Sequence, residues 1–548
     1  MIEPSRFHRP EITSGARSTF HGTMTAKGSF GNAPWWCVLL LLCLTLLAPL
    51  TLADVPPLLD YPNHLARLFV LASLPGDTVL ARFYQPHWGI IPNLGLDLVV
   101  PPLLRMFPVH LVGRAVVGLS LLLPVLGTTA YHRALTGRLS YWPFGAVLFA
   151  YNAALLRGFL NFVLSVGLAL LFAAVWIRWR EQRPLLAILV CALGAVALFF
   201  CHLTGLLFFA ILIGGHELLI ARTDPFRFVQ IARRGAAVAT VFAVPMVLYA
   251  VSDLSHMAGA AEFRSPADKT HAALMPVMNY LWPLDLATAF LCIALTVVCL
   301  ARRWCAMPLR AAVALVVLLL LFLALPTAFK GTFDLDTRFI VMAAFVAPAA
   351  LVSLSLPRRA AWAIGCGFAV LFVIRMAVLV AVWHDWAGYL ASFRNVIATV
   401  RPGDVVLTVR LPRGDETGGW TGVASARRLS DGTVIDAHLP ALLVIEHRAW
   451  WPYLFDNPSQ QPIETREPFR TMANRVDASP DPIALLAKDA SEMRLFTRVL
   501  VRGPEPGPQE IETSGLRLLA GNGEAALFAI DRDGLNPPRS RAPPLPGR

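Results

Sequence analysis

Apolar stretches of roughly the twenty residues a helix needs to cross a bilayer recur along the chain from Trp35 to Val382. Short polar segments separate them. Beyond Val382 the pattern changes to brief apolar runs between turn residues: Val405–Val409, Ala441–Ile445, Phe496–Val501 and Ala525–Ile530 read as strands. The first pattern predicts a polytopic α-helical membrane protein, the second a small C-terminal α/β domain.

The polar segments set the phase of the crossings. Arginines gather at 133 and 138, at 178–183, at 222–234, at 302–310 and at 358–359, which marks cytoplasmic loops. With those inside, the crossings fall at 35–53, 111–131, 142–156, 159–177, 185–201, 205–221, 235–252, 283–301, 308–328, 339–356 and 360–383, about 11 transmembrane helices. Residues 92–107 are apolar, but a crossing there would invert the arginine loops, so they are expected to form an interfacial helix. The resulting organisation is a cytoplasmic, disordered tail (1–34), a transmembrane domain (35–383) with a long first extracytoplasmic loop (54–110), an extracytoplasmic α/β domain (384–531) and a disordered Pro/Arg-rich tail (532–548). Thr51, Leu52 and Ala53 resemble a signal-peptidase site; the long preceding segment and the Trp35-Trp36 anchor favour a retained first span, and either way Asp54 lies outside the cytoplasm.

Composition agrees. The 548 residues are 56% hydrophobic and 15% charged, with a mean hydropathy of +0.60, which excludes an ordinary soluble enzyme. The net charge of +12 resides largely in the arginine loops, so the expected partner is the bilayer and not a nucleic acid. All eight cysteines lie in or beside apolar runs, without disulfide or zinc spacing.

Chemistry-bearing residues collect on the outer face. The exit from the first span, "DVPPLLDYPNH", begins a loop holding Asp54, Asp60, His64 and Arg67. After Pro62 a helix would place Asn63, Arg67 and Val70 on one side and an apolar stripe of Leu65, Leu68, Phe69 and Ala72 on the other. Asp60 then reads either as that helix's cap, with Arg67 snorkelling, or as a carboxylate available for proton transfer. "KGTFDLDTRF" offers Lys330, Asp336 and Arg338, whose cations suit a lipid phosphate. His202 ends a span, and Asn161 sits with Asn152 and Arg157 on a polar hairpin tip; both face the same side. Loop 253–282 is long enough for a lid, although its mixed charges fit simple solvation. No ligand spacing specifies a metal, and a divalent ion stays admissible as a cofactor.

An acidic exit loop, an interfacial helix, Pro101-Pro102-Leu103 and then "PVHLVGRAVVGLSLLLPVLGTTAYHRAL" (108–135) with Arg114 early in the second span follow one another in this order. In this the chain resembles the GT-C fold glycosyltransferases, among them the aminoarabinose, mannosyl and oligosaccharyl transferases. The resemblance spans most of 35–383 as architecture, with its motifs confined to the first loop and Arg114. It implies transfer of a sugar from a polyprenyl-phosphate carrier to a lipid, glycan or protein acceptor on the outer face of the inner membrane. It also implies a first-loop acid as general base: Asp60, followed by Tyr61 and the interfacial helix, with Asp54 as substitute. The chain departs from the commoner pattern in having no carboxylate next to Asp60 and Val99-Val100 where a lysine often precedes Pro-Pro-Leu. Two other classes remain: a transporter or flippase, whose chief mid-span charge would be Arg375, and a non-catalytic scaffold presenting the C-terminal domain.

Overall fold

A computed structural model describes residues 32–222, 226–411, 422, 424–479, 481–487, 491–503 and 515–531. The two tails expected to be disordered fall outside these residues, except that 32–34 lead into the first helix, Ala33–Leu47. That helix shows how the spans are built. Trp35, Leu39, Leu42 and Leu46, spaced by three or four, are buried against the bundle, while Leu40, Leu41 and Leu44 are exposed on the face left for lipid.

Each of the eleven predicted stretches contains helix. Eight helices among the described residues are long and apolar enough to cross a membrane, which makes this a multi-pass membrane protein. The remaining three, Trp142–Leu156, Leu309–Ala324 and Thr337–Ala350, are shorter. Trp142–Leu156 breaks at Asn152, whose side chain donates to Phe149 O (2.8 Å) and accepts from Leu155 N (3.0 Å), so a cap restarts the helix inside the bundle. Helices Val109–Thr136 and Leu160–Trp179 approach closely through Gly127 and Gly167: a Cβ on Gly167 would lie 2.4 Å from the Leu123 carbonyl carbon.

Contacts sort the connections into two ends. At one, Trp35 Nε1 donates to Ser140 O (2.8 Å), Trp142 Nε1 donates to Ser353 Oγ (2.8 Å), and Cys305–Ala306 pairs with Val352–Ser353. At the other, the first loop, the Arg157-Gly158 turn, loop 253–282, segment 327–338 and the C-terminal residues meet. The connections near 140, 305 and 353 thus share one end, as the arginine phasing requires of them.

The first loop forms helix Tyr61–Ser73, strand Tyr84–Pro86 and the interfacial helix Gly95–Leu104. Helix Arg358–Ile397 runs unbroken through Trp383 and His384, so the spanning and C-terminal parts share one element. The C-terminal sheet has the order 406–410, 498–502, 525–530, 516–521; its first pair is parallel and the other two antiparallel. Three of the four predicted strands are present. The fourth, 441–445, is instead the end of a 3₁₀ turn, Leu439–Ala441, followed by helix Leu442–His447, which packs on helix Tyr61–Ser73. A five-residue apolar run buried on every side carries no period, so burial alone could not separate strand from helix.

The C-terminal residues are joined to the first loop. Strand Tyr84–Pro86 pairs antiparallel with Ile463–Thr465, and Asn63 bridges both ways, donating to Tyr453 O (2.8 Å) and accepting from Phe455 N (2.8 Å). Arg375, the mid-span charge a transporter would need, is buried beside Asp285 (3.1 Å) and Thr288 (3.0 Å), and Asp285 also accepts from Ser430 Oγ (2.7 Å) and Asn279 N (2.9 Å). It therefore fastens the bundle to segment 430 through Asp285.

Candidate functional site

Arg157 and Gly158 form the tip of the hairpin between Ala153–Leu156 and Leu160–Trp179. The first loop lies directly on this tip: Leu59 N donates to Leu156 O (2.9 Å) and Asp60 N to Arg157 O (3.2 Å). Gly158 has φ +90°, and a Cβ there would stand 2.8 Å from both Cβ and N of Asp60. Gly158→Ala is therefore expected to lower stability by about 1–3 kcal/mol, from the left-handed backbone and the clash together, and to displace Asp60. Thermal unfolding of the purified variant checks this; an unchanged midpoint would show that the loop yields freely.

Asp60 occupies the N-terminal position of helix Tyr61–Ser73, but its carboxylate makes no capping hydrogen bond. Pro62 already removes one N–H from the first turn, which reduces the need for a cap. The carboxylate instead faces His438, whose Nδ1 lies 2.9 Å from Oδ1, close in distance though not aligned as a hydrogen bond.

On the other side of the same hairpin stands Arg338, buried in the first turn of Thr337–Ala350. Its guanidinium lies over Phe159 (5.4 Å) and Phe162 (5.6 Å), donates to Phe333 O (3.2 Å) and contacts His202 Nε2 (2.6 Å). A guanidinium can only donate, so Nε2 is the acceptor of that contact, while Nδ1 caps the following helix by accepting from Thr204 N (3.2 Å) and lies 2.8 Å from Thr204 Oγ1. Among the described residues no carboxylate pairs with Arg338, and its Nε has no partner.

From Arg157 at the tip runs a chain of opposite charges. Arg157 bridges Asp431 (2.6 Å) and Asp334; Arg264 bridges Asp334 and Asp336 (3.3 Å); Lys269 closes on Asp336 (2.8 Å). Asp336 is thus an internal counterion. Lys330, at φ +50°, donates its Nζ to the carbonyls of Leu254 (3.1 Å) and Ser255 (3.2 Å). Loop 253–282 is therefore anchored by Arg264, Lys269 and Lys330, where its charges alone had suggested solvation. Beside the chain opens a polar cleft of ≈ 170 Å³, lined by Arg157, Arg264, Asp268, His271, Thr337 and Asp431 among others.

The other first-loop candidates are engaged elsewhere. Arg67 is buried and holds Asp97 through two hydrogen bonds (2.8 and 3.0 Å), with His64 Nδ1 3.0 Å from its third nitrogen. Burial, reinforced by Arg67 and His438, drives the His64 pKa well down, so that imidazole stays neutral. Asn161 anchors the N-terminal end of helix Gly95–Leu104: Oδ1 accepts from Leu96 N (3.3 Å) and Nδ2 donates to Asn93 O (2.8 Å). Asp54 is held by Arg394 (2.8 and 3.0 Å), which also binds Glu446 (2.6 Å), itself 3.1 Å from His110. Burial pushes the Asp54 carboxyl up, but its hydrogen bonds to Arg394 and the charges of Arg394 and His110 outweigh it and leave the pKa below the usual carboxylate value.

The hairpin tip thus brings together Asp60, Asp336, His202 and Arg338, directly or through the charge chain; Asp54, His64, Arg67, Asn161 and Lys330 are tied into neighbouring connections. Among the described residues no three His, Cys, Asp or Glu side chains gather as a metal site. Sequence reasoning passed over His438, Asp97, Arg394 and Glu446. Only Asp97, a lone acid in an apolar stretch, carried a usable signal.

No family model matches the chain, and no curated protein matches it in sequence. Among solved structures it is similar to ArnT from Cupriavidus metallidurans in the apo state, with 14% identity and a TM-score of 0.52 over 93% of this chain and 100% of that one. The same protein bound to undecaprenyl phosphate gives 13% identity and a TM-score of 0.50 over 92% and 99%.

Proposed function

We propose, from the GT-C fold that this chain shares with ArnT, that it is a membrane glycosyltransferase moving a sugar from a polyprenyl-phosphate carrier to an acceptor on the extracytoplasmic face. The observation that carries this reading is the hairpin tip, with the uncapped carboxylate of Asp60 on one side and the buried guanidinium of Arg338, without a carboxylate partner among the described residues, on the other. The undecaprenyl phosphate bound by ArnT supports a lipid phosphate as partner.

In the proposed step Asp60 accepts the proton of an acceptor O–H or N–H as its O or N bonds to the anomeric carbon. The bond from that carbon to the phosphate oxygen breaks, and the carrier phosphate departs with the electron pair. Arg338 supplies the cation for that phosphate, since its aromatic walls exclude water and a desolvated guanidinium binds an anion more strongly than an exposed one. The cleft beside Asp431 is the natural approach for a polar acceptor.

The test is sugar transfer by the purified full chain in proteoliposomes supplied with a polyprenyl-phosphate-linked sugar. Transfer to an acceptor, with Arg338→Gln weakening carrier binding about tenfold or more, is expected. Movement of the carrier across the bilayer with its sugar intact would overturn the reading in favour of a flippase.

A further inference from the structure

We infer that His438, contributed by the C-terminal part of the chain, is the positioning residue of Asp60, so that the proton-accepting unit is assembled from two distant segments and is incomplete in the membrane helices alone. This rests on the reading of Asp60 as general base.

The first support is how firmly the imidazole is placed. Arg502 donates to the carbonyls of Asp436 and Ala437 (3.0 Å for Ala437), fixing the backbone just before His438, and His438 O accepts from Ala441 N (3.0 Å) just after it. The ring is edge-on to Phe455 (5.0 Å) and Trp451 (6.3 Å). Phe455 is held in turn by Asn63, three residues beyond Asp60 on the same helix. One amide therefore ties the aromatic wall of His438 to the element that presents Asp60, and the 2.9 Å approach of Nδ1 to Oδ1 follows from both constraints.

The second support is which atoms are left open. Among the described residues His438 Nε2 has no hydrogen-bond partner and is not a buried orphan, and the same holds for Asp60 Oδ2. Nδ1 and Oδ1 face each other while Nε2 and Oδ2 reach solvent. A carboxylate neighbour favours the tautomer protonated at Nδ1. Donation from Nδ1 to Oδ1 then leaves Oδ2 as the oxygen presented to an acceptor.

The surrounding charges do not compete. The titratable groups facing His438 from the first loop are Asp60 and His64. His64 is kept neutral by burial and by Arg67, and the charge of Arg67 is matched by Asp97. Behind the ring, Arg502 is directed at backbone carbonyls and at Asp436 (3.6 Å).

Substitutions at 438 separate the two ring nitrogens. The amide nitrogen of asparagine falls near the place of Nδ1, that of glutamine near Nε2. In the full chain, with polyprenyl-phosphate-linked sugar as donor, His438→Ala and His438→Gln are expected to lower kcat about tenfold or more with little change in KM, while His438→Asn keeps most of it. Wild-type rates in His438→Ala would overturn the proposal. So would equal losses in the Asn and Gln variants, which would place the function on Nε2 or on packing; thermal unfolding of all three identifies a packing loss. Asp60→Asn run in parallel keeps the two claims apart: full activity there refutes Asp60 as base, whereas its loss with an indifferent His438 refutes only the positioning role.

Discussion

Asp60→Asn is expected to abolish sugar transfer, by about 10²–10⁴-fold, while leaving the protein as stable as the wild type to within about 0.5 kcal/mol. The two halves of this expectation have different causes. The carboxylate is the proton acceptor in the proposed step, and an amide of the same shape cannot take a proton. Stability is spared because Asp60 does not cap helix Tyr61–Ser73: what holds the loop is its backbone N–H on Arg157 O and the close fit over Gly158, neither of which the substitution touches. Transfer assays and thermal unfolding on one preparation test both. A variant that is destabilised and partly active would restore the helix-cap reading. Asp54→Asn should behave in the opposite way, loosening the Arg394 and Glu446 cluster with little direct effect on chemistry.

The largest stability effect is expected at Asp97. This carboxylate and Arg67 are almost completely shielded from solvent, with side-chain exposures of 0% and 1%. Asp97 also stands in the first turn of helix Gly95–Leu104, where a negative charge is favoured. Asp97→Ala leaves a buried guanidinium with only His64 beside it, a loss of about 3–5 kcal/mol. Replacing both partners, as Arg67→Met with Asp97→Leu, should recover most of that loss, because the desolvation cost of the pair disappears along with its attraction. Unfolding midpoints of the two single variants and the double variant in detergent form the cycle. Equal destabilisation of Asp97→Ala and the double variant would mean that packing, not charge, dominates there.

These sites differ in how much of them the sequence discloses. Arg67 was visible as a cation on the polar side of the helix after Pro62, where snorkelling to the headgroup region was one reading of it. Its actual partner lies 30 residues away on a helix of mostly apolar residues, and nothing local connects the two. Lys330 likewise belongs to a motif that reads as a phosphate grip, yet its ammonium is satisfied by two backbone carbonyls of loop 253–282. Charges in such loops choose among many partners, and the choice depends on which loops meet.

The sequence by itself determined the membrane architecture. A segment crossing hydrocarbon must satisfy its own backbone and expose apolar side chains, so each apolar stretch declares its helix locally, and the arginine clusters declare which ends lie together. The exit loop, its prolines, the interfacial helices and the prominence of Asp60 are legible for the same reason. Only the tertiary structure decided that Asp60 is uncapped, that Gly158 supports it, that Arg338 stands behind the same hairpin, and that His438 arrives from 378 residues further along the chain. These are long-range coincidences of a few ångströms, produced by the docking of the C-terminal residues on the first loop through Asn63 and strand Tyr84–Pro86. No periodicity along the chain encodes them, because what brings the side chains together is the packing of elements distant in sequence.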